Sequence, residues 1–325
     1  MRIFVTGGTG FIGSRVVRAL RERGHDVRCL LRPASSTERI DDLDFERVEG
    51  DVLDRSSFED ALRGCDGCIH LASVSGWEEI ASAHVEAIVI DGTRNVVEAV
   101  QRAGGVRLVY VSSSTAINGS DRPEIFDETA SFLLDGSGLR YAIAKHKAEK
   151  LVLGATGEGF EATVVNPGET YGANDYQWVT AGAIRDVLRN WPALALRGGA
   201  SVTHVDDVAT GIVSALERSR SGERYILGGE NLTIEQIVRT VLELAGSKKP
   251  VVVLPAGLVK VAVNACRALH LPAPIPPDLV GYAARYWFMS SEKAERELGY
   301  RHRPAKDTLA SVVGWIRETQ AAPHG

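Results

Sequence analysis

Tyr141 and Lys145 stand four residues apart, in Tyr141-Ala142-Ile143-Ala144-Lys145. On a helix that spacing places both side chains on one face. A free phenol ionises near about pH 10, too high for useful proton transfer at neutrality. A neighbouring ammonium favours the phenolate and lowers that value, as does a positively charged, oxidised nicotinamide ring. The pair is thus a candidate proton donor and acceptor. Upstream, Ser112-Ser113-Ser114 closes a predicted strand. A hydroxyl at such a strand end can hydrogen-bond a substrate carbonyl.

The start of the chain supplies what this chemistry needs. An apolar run at residues 3–5 breaks into Gly7, Gly10 and Gly13, and a helical apolar pattern follows (Phe11, Val16, Val17, Leu20). Strand, glycine turn and helix in that order bring bare backbone N–H groups and a helix N-terminus to a pyrophosphate. An NAD site usually carries an acid about 20 residues beyond the glycines. Here the second strand ends Leu30-Leu31-Arg32-Pro33, and no acid follows until Glu38. Arg32, helped by Arg15, Ser35 or Ser36, can pair with a 2′-phosphate. This favours NADP(H) as cofactor and leaves NAD(H) open.

The elements that must position these groups alternate. Strand patterns fall at 3–5, 27–31, 45–49, 68–72, 108–112 and 162–165, and helical ones at 14–23, 56–63, 81–103 and 139–153. Alternation of this kind implies an α/β, doubly wound parallel Rossmann sheet covered on both faces. Asp54 marks a helix start, and Gly24 and Gly104 mark helix ends. Beyond residue 166 helices dominate, at 234–244, 256–269, 292–298 and 308–320, among Pro255, Pro272, Pro274, Pro276 and Pro277. The expected division is a dinucleotide-binding domain over 1–165, rejoined by 200–219. A smaller, mostly helical substrate lobe takes 166–199 and 220–325.

Composition narrows the rest. The chain has 325 residues, is 44% hydrophobic and carries a formal net charge of −5. With no basic stripe, nucleic acid is not an expected partner. No apolar run reaches the roughly 18 residues of a membrane span, and 251–271, which comes nearest, is broken by Pro255, Lys260 and Arg267. It reads as an amphipathic helix of the lobe, with membrane-surface contact as the alternative. Met1 leads straight into the first strand, so the expectation is a cytoplasmic protein without a signal peptide. Cys65-x-x-Cys68, with His70 beside it, lacks a second ligand pair, so no metal is expected. His204-Val205-Asp206-Asp207-Val208 reads as a strand running into a helix cap, with Asp206 or Asp207 accepting from the first-turn N–H groups.

Together these residues resemble a family. Thr6-Gly7-Gly8-Thr9-Gly10-Phe11-Ile12-Gly13, Gly50-Asp51-Val52, His70-Leu71-Ala72, Ser112-Ser113-Ser114, Tyr141-x-x-x-Lys145, Asn166-Pro167-Gly168 and His204-Val205-Asp206-Asp207-Val208-Ala209 stand in the order seen in the extended short-chain dehydrogenase/reductases. The stretches 222–229 and 291–300 look like the dihydroflavonol-reductase-like branch, which includes hopanoid-associated sugar epimerases. The resemblance implies that Gly7, Gly10 and Gly13, with Phe11 and Ile12 between them, cradle the pyrophosphate. It implies that Asp51, with Val52 beside it, meets the adenine, and that Leu71, Ala72 and Ser73 line the path to the nicotinamide ribose. Lys145 would hold the ribose hydroxyls, and Tyr141 would exchange the proton. Ser114 aligns best with the catalytic serine, ahead of Ser113, and Ser112 counts among the cofactor contacts. Asn166, Pro167 and Gly168 would approach the carboxamide end of the ring. Tyr171, with Asn174, Tyr176 and Trp178, is expected to shape the substrate cleft.

Two departures steer the chemistry. Sugar-nucleotide dehydratases of this family carry an acidic pair after the serine, where this chain has Thr115-Ala116. Many sugar epimerases carry Tyr-Gly shortly after it, where this chain has Asn118-Gly119. The leading expectation is an NADP(H)-dependent reduction of a ketone, or oxidation of a secondary alcohol, on a fairly apolar small molecule. The alternatives are a sugar-nucleotide epimerase with tightly held NAD and a non-catalytic NADP-sensing protein. Relatives often dimerise through the helices here placed at 81–103 and 139–153, which leaves a homodimer open.

Overall fold

A computed structural model describes residues 1–321 apart from 75, 77, 78, 81, 83 and 269–276. The first βα unit is β1 (Arg2–Thr6) and α1 (Phe11–Glu22), then β2 (Asp26–Leu31), β3 (Glu46–Glu49), β4 (Gly67–His70), α2 (Gly92–Ala103) and β5 (Arg107–Val111). A short strand β6 (Ile125–Phe126) precedes α3 (Arg140–Gly154) and β7 (Ala162–Pro167). Next come β8 (Glu169–Tyr171), α4 (Ala181–Arg189), β9 (Ala193–Leu196), β10 (Gly199–His204), α5 (Val205–Arg218) and β11 (Arg224–Leu227). The chain ends with β12 (Glu230–Thr233), α6 (Ile234–Leu244), β13 (Val251–Leu254), α7 (Ala256–Ala268), α8 (Pro277–Ala283), β14 (Tyr286–Met289), α9 (Glu292–Leu298) and α10 (Ala305–Ala321).

Seven strands form one parallel sheet in the order β11-β7-β5-β4-β1-β2-β3. Strand order reverses between β1 and β4, and the carboxyl ends there open the crevice in which ligands of such sheets lie. Both faces are covered. Val16, Val17 and Leu20 of α1 and Val208, Ile212 and Val213 of α5 pack on one face. Val96, Val97 and Val100 of α2 and Ala144, Ala148 and Val152 of α3 pack on the other. Helix α5 lies beside α1 on the large sheet, whereas β10, which precedes it, pairs in the lobe.

Several expected elements take another form. The helix at 56–63 is two 3-10 turns, Arg55–Ser57 and Glu59–Leu62, the first capped by the Asp54 carboxylate accepting from Ser56 N. The helix at 81–103 is α-helical at His84–Glu86 and as α2, with a π-helical turn, Ala87–Asp91, between them, and positions 81 and 83 lie outside the described residues. Gly24 (φ 76°) and Gly104 (φ 66°) follow their helices in backbone conformations that side chains disfavour. At α5 neither aspartate caps. The His204 Nδ1 accepts from Asp206 N at 3.2 Å, while Asp207 takes a two-pronged ion pair from Arg303 (2.6 Å) and Asp206 lies 3.5 Å from Arg15. The imidazole sits two residues before Asp206 and three before Asp207, at the last residue of β10, and so reaches a free N–H of the first turn.

The lobe carries short strands as well as helices. Strands β12-β10-β14-β6 form a second sheet, with β8 also paired to β10, and β9 pairs in parallel with β13. β6 therefore joins lobe strand β14, although it precedes α3, and β11 lies on the edge of the large sheet beside β7. The two regions interlace along the chain. Among the described residues no helix is long and apolar enough to cross a membrane. Cys29, Cys65 and Cys68 are buried free thiols, and burial pushes Cys29 up to about 12. No group of three or more His, Cys, Asp or Glu is placed to hold a metal ion among those residues.

Candidate active site

The glycine turn is packed so tightly that side chains have no room. A Cβ on Gly7, whose φ is 72°, would stand 2.7 Å from Ala72 N, and one on Gly13 would stand 2.0 Å from Gly7 O. Gly10 N donates to Gly7 O at 3.1 Å, and Gly10 then starts α1 with no side-chain cap and no acid in the first turn. The positive end of that helix is left for an anion. Phe11 and Ile12 are half-buried at this point.

A chain of hydrogen bonds fixes the neighbouring strand end. Ala72 N donates to Thr6 Oγ1 (3.1 Å), which lies 2.7 Å from His70 Nδ1; His70 Nε2 lies 3.1 Å from Thr93 Oγ1, which donates to Val89 O at 2.6 Å. Because Thr93 spends its proton on Val89, His70 donates from Nε2 and accepts at Nδ1. Burial pushes this imidazole down to about 3, with the Lys145 ammonium adding to the effect, so it stays neutral. Leu71, Ala72 and Ser73 follow, half-buried, and the Ser73 hydroxyl faces the Tyr141 phenol.

Tyr141 and Lys145 share the inner face of α3. Lys145 is buried, its Nζ donates to Val111 O at 3.0 Å, and Nζ lies 5.8 Å from the centre of the Tyr141 ring and 5.1 Å from that of Tyr110. An ammonium has three donors, and two of these have no protein acceptor among the described residues. Burial lowers Lys145 to about 7, opposed by the nearby Glu149 carboxylate. Burial also dominates Tyr141 and pushes it up to about 12, against the pull of the facing Ser73 and Ser113 hydroxyls. In the protein alone the ammonium thus does not depress the phenol as the Tyr-Lys spacing suggests. Ser113 caps the 3-10 turn Ser114–Ala116 and is the serine of the three that faces the phenol; Ser114 is buried in the turn.

Spacing alone also held a residue that the sequence reading passed over. Glu149 stands four positions after Lys145 and is fully enclosed. It accepts from Asn166 Nδ2 and pairs with Arg224 of β11 at 3.5 Å, and burial raises its carboxyl above the ordinary range. Asn166 also donates to Ser113 O at 2.9 Å. The Asn166 side chain is therefore a tie inside the protein, wholly buried, with its Oδ1 unpartnered. Ser112 Oγ, equally enclosed, lies against Glu149. Pro167 ends β7, and a Cβ on Gly168 would stand 2.6 Å from Ser201 O. Tyr282 of α8 completes the wall, its hydroxyl accepting from Ala142 N at 3.3 Å.

The four residues expected to shape the substrate cleft are held at the lobe's junction with the glycine turn. Tyr171 is buried in the lobe core, its hydroxyl donating to Glu169 at 2.6 Å. Trp178 packs on Trp315 and under Arg185. Asn174 and Tyr176 line a cavity of about 210 Å³ with Phe11, Arg15 and Arg39. Arg39, unmarked in the sequence, donates to Thr9 O (3.0 Å) and Asn174 O (3.3 Å) and lies 5.0 Å from the Tyr176 ring. Arg15 donates to Ala173 O at 3.3 Å and lies 3.5 Å from Asp206. Arg32 itself is exposed at the end of β2, without an ion pair among the described residues. Asp51 turns back on Leu53 N (2.9 Å), and Asn95 holds Val52 O at 2.8 Å, so this rim is braced.

The uncapped α1, the glycine cradle and the uncommitted Lys145 donors fit a dinucleotide. Comparison with known proteins points the same way. The model of the NAD dependent epimerase/dehydratase family matches residues 3–228. A Synechocystis sp. protein provisionally named dihydroflavonol 4-reductase is 32% identical, over 97% of this chain and 94% of its own. A Stigmatella aurantiaca protein, 4-hydroxy-2-methyl-3-oxo-4-farnesyl-3,4-dihydroquinoline-1-oxide ketoreductase, is 31% identical over 100% of this chain and 98% of its own. The crystal structure of gox2253 superposes with a TM-score of 0.85 and 34% identity, covering 98% of each chain.

Two outcomes follow from this geometry. Gly13→Ala forces a Cβ onto Gly7 O, so affinity for the reduced dinucleotide, read by fluorescence titration, falls about tenfold or more. That affinity also falls as pH rises through about 7, where Lys145 loses its charge. In Lys145→Met that step is absent.

Proposed function

The chain belongs to the NAD dependent epimerase/dehydratase family, the extended short-chain dehydrogenase/reductases, and from that premise we propose that it reduces a ketone, or oxidises the matching secondary alcohol, of a fairly apolar small metabolite with NADP(H). The observation that carries this reading is the meeting of Tyr141, Lys145 and the serine turn at one strand end beside the glycine cradle. When bound, the nicotinamide supplies or accepts the hydride at the carbonyl carbon. Lys145, anchored on Val111 O, offers its remaining N–H donors to the ribose hydroxyls. Tyr141 delivers a proton to the carbonyl oxygen in reduction and removes it in oxidation. The Ser114 hydroxyl hydrogen-bonds that oxygen as charge develops on it.

Two features favour simple redox chemistry on an apolar molecule. Where dehydratases of the resembling family place an acid, Ala116 is wholly buried, and Asn118 is occupied in accepting from Leu133 N. Beside Tyr141, Ala142, Ile117, Leu134, Trp287 and Met289 pack with Phe126, Phe132 and Tyr282 in an apolar, aromatic-rich wall. The Stigmatella relative's named substrate carries a farnesyl chain. Exposed, unpaired Arg32 supports NADP(H), since a 2′-phosphate gives it a partner.

Incubation with NADPH and a panel of apolar ketones, followed by loss of the reduced-nicotinamide absorbance, tests the reading. Tyr141→Phe should lose about 10²–10⁴-fold in turnover while still binding NADPH. Ser114→Ala should lose about 10²-fold and Ser113→Ala less; the reverse order makes Ser113 the substrate's partner. Undiminished activity in Tyr141→Phe refutes the mechanism. Arg32→Ala should lower the preference for NADPH over NADH about tenfold or more, and an unchanged ratio removes Arg32 from the phosphate site.

A further inference from the structure

The lobe carries an apolar surface that the reaction site does not use. On α7, Val259 and Val263 point inward, against Leu196, Leu254 and Val280. The outward face is apolar too: Leu258, Val261, Ala262 and Ala265 recur at helical spacing and are all exposed, Leu258 at 65% and Val261 at 68%. The paired strands β9 and β13 extend this surface. Ala193, Ala195, Val251 and Val253 face α6, so the alternate residues face the α7 side. Leu196 and Leu254 lie under α7, whereas Leu194 and Val252, partners in register, are 50% and 40% exposed. Trp191, just before β9, is 74% exposed. Five of the ten exposed large apolar side chains among the described residues thus fall on these two stretches.

Their charge is as one-sided as their hydropathy. Between Asp186 and Asp206 the chain has Arg189 and Arg197 and no acid. Between Glu243 and Asp278 it has Lys248, Lys249, Lys260 and Arg267 and no acid. The whole chain is nevertheless acidic, at −5. Arg189, Arg197 and Lys248 are exposed, without an ion pair among the described residues. Lys249 donates to Leu188 O. A two-fold contact of this surface with a second copy would set cation against cation. An anionic lipid surface takes up both features, the side chains entering the acyl boundary and the cations meeting the headgroups.

We propose that the α7 and β9–β13 face docks the protein on anionic membranes, lying on the bilayer without spanning it. The face adjoins the reaction site through α8, whose Val280 packs under α7 and whose Tyr282 reaches Ala142 beside Tyr141. The inference goes beyond the proposed reaction and does not depend on it, because vesicle binding needs no substrate.

Flotation with phosphatidylcholine vesicles, with and without phosphatidylglycerol, tests it. The wild-type chain should float with the phosphatidylglycerol vesicles, bind neutral ones far less, and be released by salt. The double variant Leu258→Glu, Val261→Glu should lose about tenfold or more of that binding, with NADPH binding retained as the check on folding. Should it not fold, the surface variant Arg189→Glu, Arg197→Glu, Lys248→Glu should lose binding by about fivefold or more per charge. Failure of the wild type to bind, equal binding to neutral vesicles, or unchanged binding by folded variants overturns the proposal. So does a dimer in place of vesicle binding that the Leu258, Val261 variant breaks.

Discussion

Helix α3 buries two opposite charges against the large sheet, and the rest of the site is built around that fact. Lys145 and Glu149 both lie on its inner face, among alanines small enough to let the helix approach closely. An unpaired charge in such a place costs several kcal/mol, so each must find a partner, and each partner belongs to a strand. Lys145 takes the Val111 carbonyl at the end of β5; Glu149 takes Asn166 of β7 and Arg224, the first residue of β11. Asn166 then holds the Ser113 carbonyl. The Lys145–Glu149 spacing therefore ties three neighbouring strands to the helix that carries Tyr141. Arg224 continues the network outward to the Glu128 and Ala130 carbonyls, so the segment that leaves for the lobe is tied to the same charge.

The opposite side of the crevice is stiffened without charge. Thr6, His70 and Thr93 form a relay of neutral hydrogen bonds in which each member's donors and acceptors are spent in one sense. It joins the last residue of β1, the last of β4 and the π-helical turn before α2. Burial keeps His70 neutral, and a charged ring could not accept from Thr6. The relay also positions Ala72 N, the atom on which Gly7 is packed. The glycine turn is shaped by contact with this rigid edge, which is why a side chain at Gly7 or Gly13 has nowhere to go.

What could be read from the sequence was what short-range spacing encodes. The glycine turn, the Tyr141–Lys145 pair and α6 lie within single elements. α6 keeps its expected limits because Thr233 and Gln236 form a reciprocal cap at its start. What escaped depends on long-range pairing. β11 has three apolar residues and looks like part of a loop until β7 offers an edge. The residues after Asn166-Pro167 suggest a wall beside Tyr141, but β8 pairs with β10 and carries Tyr171 into the lobe core. Arg39 then pins the next turn, at Asn174, to the glycine loop. The wall that does adjoin Tyr141 comes from Tyr282, about 140 residues away, a distance that no local pattern spans. His204 likewise caps α5 only because β10 ends there.

The lobe's two surfaces then make physical sense together. Its inner wall is apolar and aromatic, with polar atoms satisfied within it; Trp287 Nε1, for example, donates to Tyr282 O at 2.8 Å. Its outer face exposes apolar side chains among the described residues, and Arg189, Arg197 and Lys248 on the same stretches of chain are exposed too. A lobe that merely closed over a water-borne substrate would need the first surface and would be penalised for the second, since exposed apolar side chains invite aggregation. Retaining both is consistent with a molecule that moves from a low-dielectric phase to a low-dielectric pocket. α8 is the element common to the two, packed under α7 by Val280 and against α3 by Tyr282. A displacement of α7 on a surface would therefore be felt first at Ala142, one residue from the phenol that exchanges the proton.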